Sequence, residues 1–171
     1  MTTDATIRAA RPEDDAAIHE VHRTSFPTDD EAKLVDRLRA DGDALISVVA
    51  VLDGTIVGHA LFSRMGIVGS TGEIQAIALA PVAVRSDRRC RGLAAAVIEE
   101  GLRLCASRGE RIVLVLGDPA YYQRFGFTAE AAALIESPWP GPHFMALALV
   151  AGALDGLAGR VRYAGAFGIA D

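Results

Sequence analysis

The stretch Arg88-Arg89-Cys90-Arg91-Gly92-Leu93-Ala94 decides how this chain is organised. It follows an apolar run over residues 74–84 and opens a helical pattern over residues 95–107. A loop of this kind presents unpaired backbone N–H groups at the start of a helix, where the helix dipole adds partial positive charge. Such loops typically bind an anion, most often a phosphate group. Arginines at positions 85, 88, 89 and 91 crowd the loop, so any phosphate-bearing cofactor is expected here.

The composition is that of an acidic globular protein. The 171 residues are 51% hydrophobic and 23% charged, which predicts a folded chain, and the net charge of −5 argues against nucleic-acid binding. Lys33 is the only lysine, so Schiff-base chemistry is not expected. No apolar run is long enough to span a membrane, and the first residues do not resemble a signal peptide. We therefore expect a single cytoplasmic domain over residues 1–171, with a Gly/Ala-rich C-terminal extension from about residue 151.

The two cysteines, Cys90 and Cys105, lie in the loop and on the helix that follows it. A helix of this length would hold them about 20 Å apart at 1.5 Å per residue. A disulfide needs Cα atoms within about 7 Å, so no bridge is expected between them. No histidine stands at ligand spacing from either cysteine, so we expect no metal site.

Hydrophobic periodicity and turn signals predict the remaining elements. Two helices are predicted to begin near residues 11 and 29, a third is predicted over residues 92–107, and a helical turn over residues 118–126. The predicted strands cover residues 5–10, 45–52, 55–62, 74–84, 112–116, 144–150 and 160–163. Asp53-Gly54 predicts a tight hairpin. A Gly/Ser/Thr-rich connection is predicted over residues 66–72. Pro81 cannot donate a ladder hydrogen bond, which indicates a bulge or an edge.

The order of these elements predicts a mixed α/β sheet. A doubly wound dinucleotide fold would alternate strand and helix throughout, and this chain does not. The anion loop follows the fourth strand and carries R-x-x-G-x-A at Arg89, Gly92 and Ala94. It matches neither the dinucleotide fingerprint nor a Walker loop.

These features together resemble the GNAT superfamily of acyl-CoA N-acyltransferases. The resemblance rests on the element order, on the hairpin leading into residues 56–60 and on R-x-x-G-x-A after strand four. The segments Gly117–Phe127, Leu79–Val84 and Phe144–Leu147 are more narrowly similar to the YhbS-like bacterial subgroup. Across residues 5–165, the resemblance implies a mixed, mostly antiparallel central sheet flanked by helices. Strands four and five would splay at a bulge, to which Pro81 is suited.

The resemblance implies that acetyl-CoA is the co-substrate. Its pantetheine would contact the strand-four backbone at Val82, Ala83 and Val84. Its pyrophosphate would bind the backbone of the loop, formed by Arg89, Cys90, Arg91, Gly92, Leu93 and Ala94. Family members often carry Gly where this chain has Cys90; because backbone N–H groups bind the phosphates, the thiol should not abolish binding. About half of the loop arginines are expected to contact phosphate.

The implied reaction is direct attack of a neutral amine on the thioester in a ternary complex. The Val82 N–H would stabilise the oxyanion. Tyr122 is the expected acid or hydrogen-bond donor for the leaving thiolate, with Tyr121 as the alternative. The general base stays open, because the position where the family often has Glu is Ala78 here. It could be a water chain or one of three side chains, Glu73, His59 and His143, whereas His19 and His22 are expected to be structural.

The expected activity is N-acetyl transfer to a small-molecule or protein amine. The alternatives are a CoA-binding sensor without turnover and transfer of a longer acyl group. Three segments, Phe26-Pro27, Gly66–Gly72 and Trp139–Phe144, are expected to set the acceptor specificity. None identifies the acceptor, and a homodimer is left open.

Overall fold

The computed structural model describes residues 4–169, which form four α-helices and eight strands joined by turns. The helices are α1 (Asp15–Ser25), α2 (Asp30–Ala40), α3 (Leu93–Ser107) and α4 (Pro119–Tyr122). The strands are β1 (Thr6–Ala9), β2 (Ala44–Leu52), β3 (Thr55–Gly69), β4 (Gly72–Val84), β5 (Ile112–Leu116), β6 (Ile135–Glu136), β7 (Phe144–Ala148) and β8 (Gly159–Tyr163).

The strands form one mixed sheet in the order β1-β2-β3-β4-β5-β7, with β8 paired to β3 and β6 paired to β8. The pairs β1/β2, β3/β8 and β5/β7 are antiparallel, whereas β4/β5 and β6/β8 are parallel. This mostly antiparallel sheet, flanked by helices, confirms the predicted fold class.

The chain forms two compact units. The first contains the residues up to 62 together with residues 81–104, and the second contains residues 63–80 together with those from 105 onward. The first unit therefore holds β1, β2, the hairpin, the end of β4 and the loop before α3. The second holds β5 to β8 and α4.

The first unit is built around the apolar faces of α1 and α2. Ile18 and Val21 lie three residues apart on α1, Val35 and Leu38 lie three apart on α2, and all four side chains are buried. This is the spacing that places side chains on one helix face. The predicted Asp-Gly hairpin is confirmed: Asp53 and Gly54 both have positive φ, at +50° and +75°, as a type I′ turn requires.

The core of the second unit surrounds β5. Residues 112–115 are all buried, as expected of a wholly apolar central strand. Met145 and Phe144 of β7 pair with β5 at Val115 and Leu116. Leu154 and Leu157 of the Gly/Ala-rich C-terminal region pack against the same core, and the predicted strand that follows is confirmed as β8.

The prediction of a connection over residues 66–72 is wrong. β3 continues to Gly69 and β4 begins at Gly72, so the turn occupies only two residues. The glycine at 69 reflects a close backbone approach within a strand, because a Cβ there would lie 2.8 Å from the Ala158 carbonyl oxygen. β7 also ends two residues earlier than predicted, and β6 was not predicted, because two residues are too few to show a periodicity.

The parallel ladder between β4 and β5 is short. It joins Ile77 to Val113 and Ala78 to Leu114. β4 then continues as one strand through the buried Pro81 to Val84. The ladder thus ends three residues before the proline.

Candidate functional site

The loop between β4 and α3 turns through two residues with positive φ before the helix begins. A 3₁₀ turn over Ser86–Arg88 leads into Cys90 with φ +62° and Gly92 with φ +76°, and α3 begins at Leu93. The first helical hydrogen bond runs from the Ala96 N–H to the Gly92 carbonyl. The N–H groups of the first helical turn have no partner within the helix, so they are available to a ligand. A positive φ at Cys90 is unusual, because the side chain of an L-residue is strained there.

The loop arginines have different partners. The Arg85 guanidinium forms an ion pair with Asp87 at 2.9 Å. Arg89 donates from Nε to the Val84 carbonyl at 3.2 Å and from Nη2 to the Ser25 carbonyl at 3.1 Å. The Nε atom of Arg88 is buried and has no hydrogen-bond partner among the described residues. The sequence could not predict which partner each arginine has, because these partners are brought close only by tertiary contacts.

The last three residues of β4 are the predicted pantetheine contacts, Val82, Ala83 and Val84. They lie in the same unit as the loop. Val82 is half-buried, and the other two are buried. The Arg85 N–H donates to the Val57 carbonyl at 2.8 Å, which holds the end of β4 beside β3. In the sequence, residues 82–84 come shortly before the loop, and the structure places both in the first unit.

Tyr122 lies at the end of α4 in the second unit. Asp118 caps this helix by accepting a hydrogen bond from the Ala120 N–H at 3.0 Å, and Gly126, with φ +96°, ends the following 3₁₀ turn. The Tyr122 ring contacts Phe127 edge-on at 6.0 Å and lies directly over Gly117, where a Cβ would overlap it. Burial, with a smaller contribution from Tyr121, raises the pKa of Tyr122 to about 12.

The raised pKa defines what the Tyr122 hydroxyl can do. It stays protonated at all physiological pH values, so it is always able to donate a hydrogen bond. Full proton transfer to a thiolate is less favourable than it would be from an ordinary tyrosine, because the acid is weaker. Tyr121, the alternative, is half-buried and has the Arg124 guanidinium stacked 4.4 Å from its ring centre.

His59, predicted as one of the possible bases, is fully buried in a hydrogen-bonded chain. Its Nδ1 lies 2.7 Å from Nε2 of His22, and its Nε2 lies 2.7 Å from the Ser47 hydroxyl. Burial, followed by the nearby His22 and Arg39, lowers the pKa of His59 well below its usual value. Burial also lowers the pKa of His22 to about 4. Both rings are therefore neutral at pH 7, and both nitrogens of His59 face protein groups.

This histidine pair was not predicted from the sequence. His22 was assigned a structural place on α1, and its position on the buried face next to Val21 agrees with that. Nothing in the spacing of residues 22 and 59 indicates that their rings meet, since the contact depends on how α1 packs on β3. His19, also expected to be structural, instead pairs with Asp36 of α2 at 2.6 Å on the surface.

Glu73 and His143 lie in the second unit, in different environments. The Glu73 carboxylate forms an ion pair with Arg162 of β8. His143 is exposed, and its Nδ1 lies 3.0 Å from the Gly117 carbonyl oxygen. A carbonyl only accepts hydrogen bonds, so Nδ1 carries the ring proton and Nε2 is left unprotonated in the neutral form. Glu73 thus has a cationic partner, whereas His143 contacts a main-chain carbonyl.

A family model for the acetyltransferase (GNAT) domain matches residues 6–129 of this chain. The chain belongs to the GNAT family. It is 39% identical over 160 residues to the uncharacterized N-acetyltransferase YhbS of Escherichia coli, a match that covers 92% of this chain and 95% of YhbS. It is 33% identical over 132 residues to the uncharacterized N-acetyltransferase YjhQ of the same species, with 76% and 71% covered. This GNAT protein is an acetyl-CoA-dependent acyltransferase.

Two solved structures are similar to this GNAT chain over nearly its whole length. The crystal structure of Escherichia coli YhbS in complex with CoA has a TM-score of 0.90 at 37% identity, covering 99% of this chain and 94% of that one. A GNAT acetyltransferase from Brucella melitensis in complex with acetyl-CoA has a TM-score of 0.80 at 33% identity, with 97% and 99% covered.

Two structural features are absent from residues 4–169. None of the helices in that range is long and apolar enough to cross a membrane. Within the same range, no group of three or more His, Cys, Asp or Glu side chains is arranged to hold a metal ion. The described cysteines are free thiols, with Cys90 exposed and Cys105 buried.

Proposed function

We propose that this GNAT protein transfers the acetyl group of acetyl-CoA to a primary amine of a small molecule or protein, by direct attack in a ternary complex. The observation that carries the proposal is the loop of residues 89–94, which combines two positive-φ positions with an open helix start. Two similar proteins, at 37% and 33% identity, were crystallised with CoA and acetyl-CoA. Main-chain N–H groups at the start of a helix favour a bound phosphate group, which supports this proposal.

In this proposal the backbone holds the cofactor. The N–H groups of residues 89–94 bind the pyrophosphate, and the strand-four backbone at Val82, Ala83 and Val84 binds the pantetheine. The Val82 N–H then faces the thioester oxygen and stabilises the charge that develops on it. Because the donors are main-chain groups on a strand end, they are oriented before the cofactor arrives.

Tyr122 supplies the hydrogen bond to the leaving sulfur. With a pKa of about 12, the hydroxyl keeps its proton and stabilises the thiolate by donating to it. The amine proton leaves to solvent, directly or through Nε2 of His143. His59 has no such part in the proposal, because both of its ring nitrogens are engaged and its ring is buried.

Binding and turnover test the proposal in sequence. Saturating acetyl-CoA should raise the melting temperature, since a ligand at about 100 times its Kd adds about 2.7 kcal/mol of stability. Thiol release should then appear with at least one member of a panel of primary amines and peptides. No stabilisation by acetyl-CoA would refute cofactor binding. Stabilisation without thiol release across the panel would support a CoA sensor and refute the transferase assignment.

A further inference from the structure

The Arg89 side chain joins three segments of the first unit. Its guanidinium reaches back from the loop to the Val84 carbonyl at the end of β4 and to the Ser25 carbonyl at the end of α1. The single proton of the Ser25 hydroxyl is shared between the Val21 carbonyl within α1 and, at the longer distance of 3.3 Å, the same Val84 carbonyl. The strand end, the helix end and the loop are therefore tied together by three hydrogen bonds centred on Val84 and Ser25.

These bonds engage two of the three guanidinium nitrogens of Arg89, Nε and Nη2. Arg88 differs, because its Nε is buried without any partner among the described residues. Arg85 differs too, because its charge is compensated by Asp87. Two of the guanidinium nitrogens of Arg89 are thus directed at main-chain carbonyls, where they hold the backbone of neighbouring segments in place.

We propose that Arg89 is a positioning residue for cofactor binding, assisted by Ser25: its side chain holds the free loop in the conformation that binds pyrophosphate. This rests on the proposed role of the loop in acetyl-CoA binding. A loop with two residues at positive φ has many competing conformations, and those that do not bind reduce the apparent affinity. Bonds that select the binding conformation in advance reduce the ordering cost at the moment of binding.

The test compares four variants. R89A removes both guanidinium bonds. R89Q keeps one of them, because the amide nitrogen of glutamine occupies the place of Nε and can donate to Val84. S25A removes the hydroxyl bond alone. The matched control is R103A, which removes an exposed arginine of α3 that is paired with Glu100 and lies outside the loop.

Two measurements are needed: amide hydrogen exchange of the free protein, and the Kd for CoA by calorimetry. R89A should speed exchange of the hydrogen-bonded amides at the two ends of the loop, those of Arg88 and Ala96, about tenfold and weaken CoA binding about tenfold. R89Q and S25A should each change the exchange rate and the Kd for CoA about threefold, and R103A should change neither. Amide exchange in α2 should be the same in every variant. A general loss of stability would instead speed exchange in α2 as well.

The outcomes separate the possibilities. Weaker CoA binding with unchanged exchange in the free loop would mean that Arg89 contacts phosphate directly, and it would overturn the proposal. Faster exchange with unchanged affinity would also overturn it. If R89A does not fold, S25A and R89Q still decide. Failure of the unsubstituted protein to bind CoA would refute the proposed function, whereas the exchange measurement, made without ligand, reports on the Arg89 contacts independently.

Discussion

In the proposed function, the loop at residues 88–94 and the segment at residues 117–127 use their residues in opposite ways. In the loop, the functional groups are main-chain N–H groups, and what the sequence must provide is a backbone that can turn through positive φ at Cys90 and Gly92. In the segment, the functional group is the hydroxyl of one side chain, and what the sequence must provide is packing around it. Gly117 leaves room for the Tyr122 ring, and Phe127 contacts it edge-on.

This difference predicts how each region responds to substitution. A backbone site should be sensitive to conformational freedom and tolerant of side-chain chemistry, because the binding groups are present in every residue. A side-chain site should lose its function when one hydroxyl is removed, with little effect on cofactor affinity. Measuring both CoA affinity and turnover in the same variants can therefore distinguish the roles of the two regions.

The largest effect is expected at Tyr122. Y122F should lower kcat about 100-fold, because the leaving sulfur loses its donor, and should change the Kd for CoA less than about twofold. The matched control is Y163F, since Tyr163 is also largely buried with its pKa raised to about 12. An unchanged kcat in Y122F would remove the tyrosine from the mechanism.

The next largest effect is expected at the buried pair of His22 and His59, which lies outside both regions. The folded-state pKa of His22 is about 4 against an ordinary value of 6.5, so between these pH values the unfolded chain binds a proton that the folded chain does not. Stability should be full above pH 6.5 and should fall by about 2 to 3 kcal/mol as the pH drops toward 4. Tyr122, by contrast, should not titrate below about pH 11.

Urea unfolding at a series of pH values measures this directly. H22Q removes the titrating ring and keeps a hydrogen-bond donor, so its stability should depend less steeply on pH across this range. A slope equal to that of the unsubstituted protein would show that the histidine pair does not set the acid sensitivity.

An intermediate effect is expected at Gly92. A side chain at φ +76° meets no atom within 4 Å, so the cost of G92A is conformational, about 1 to 2 kcal/mol. We expect CoA affinity to fall about fivefold to tenfold as the loop relaxes. G109A is the matched control, because Gly109 has φ +89°, equally open surroundings and no place in the loop. Equal losses of affinity in both variants would contradict a specific role for the loop backbone.

The smallest effect is expected at Cys90. C90G relieves the strain of a side chain at φ +62°, and it should stabilise the protein by about 0.5 to 1 kcal/mol. Because the thiol does not provide the binding groups, CoA affinity should stay within about twofold. Calorimetry that shows a large loss of affinity would mean that the thiol itself contacts the cofactor.

Much of this architecture could be predicted from the sequence, because local signals and the family resemblance agree. The Asp53-Gly54 hairpin, the helical turn ending at Gly126 and the strand at 112–116 are specified by turn chemistry and hydrophobic runs, and the structure has all three. The prediction of a connection over residues 66–72 was wrong because glycine occurs in chains for two different structural reasons. It marks a turn when it supplies positive φ, but at position 69 it allows a neighbouring backbone to approach.

The site was less predictable, for a related reason. The R-x-x-G-x-A pattern locates the loop, but the different partners of Arg85, Arg88 and Arg89 depend on where α1 and β4 end in space. The meeting of His22 and His59 depends on helix packing in the same way. Tertiary contacts of this kind have no local sequence signal.

The central claim is that the backbone of residues 89–94 binds the pyrophosphate of the cofactor. Amide chemical shifts of isotope-labelled protein, titrated with CoA and separately with pantetheine, test it most directly. CoA should shift the amides of residues 82–84 and 89–94, whereas pantetheine, which lacks phosphate, should shift only those of residues 82–84. CoA binding that leaves residues 89–94 unshifted, or equal shifts there with pantetheine, would contradict the claim.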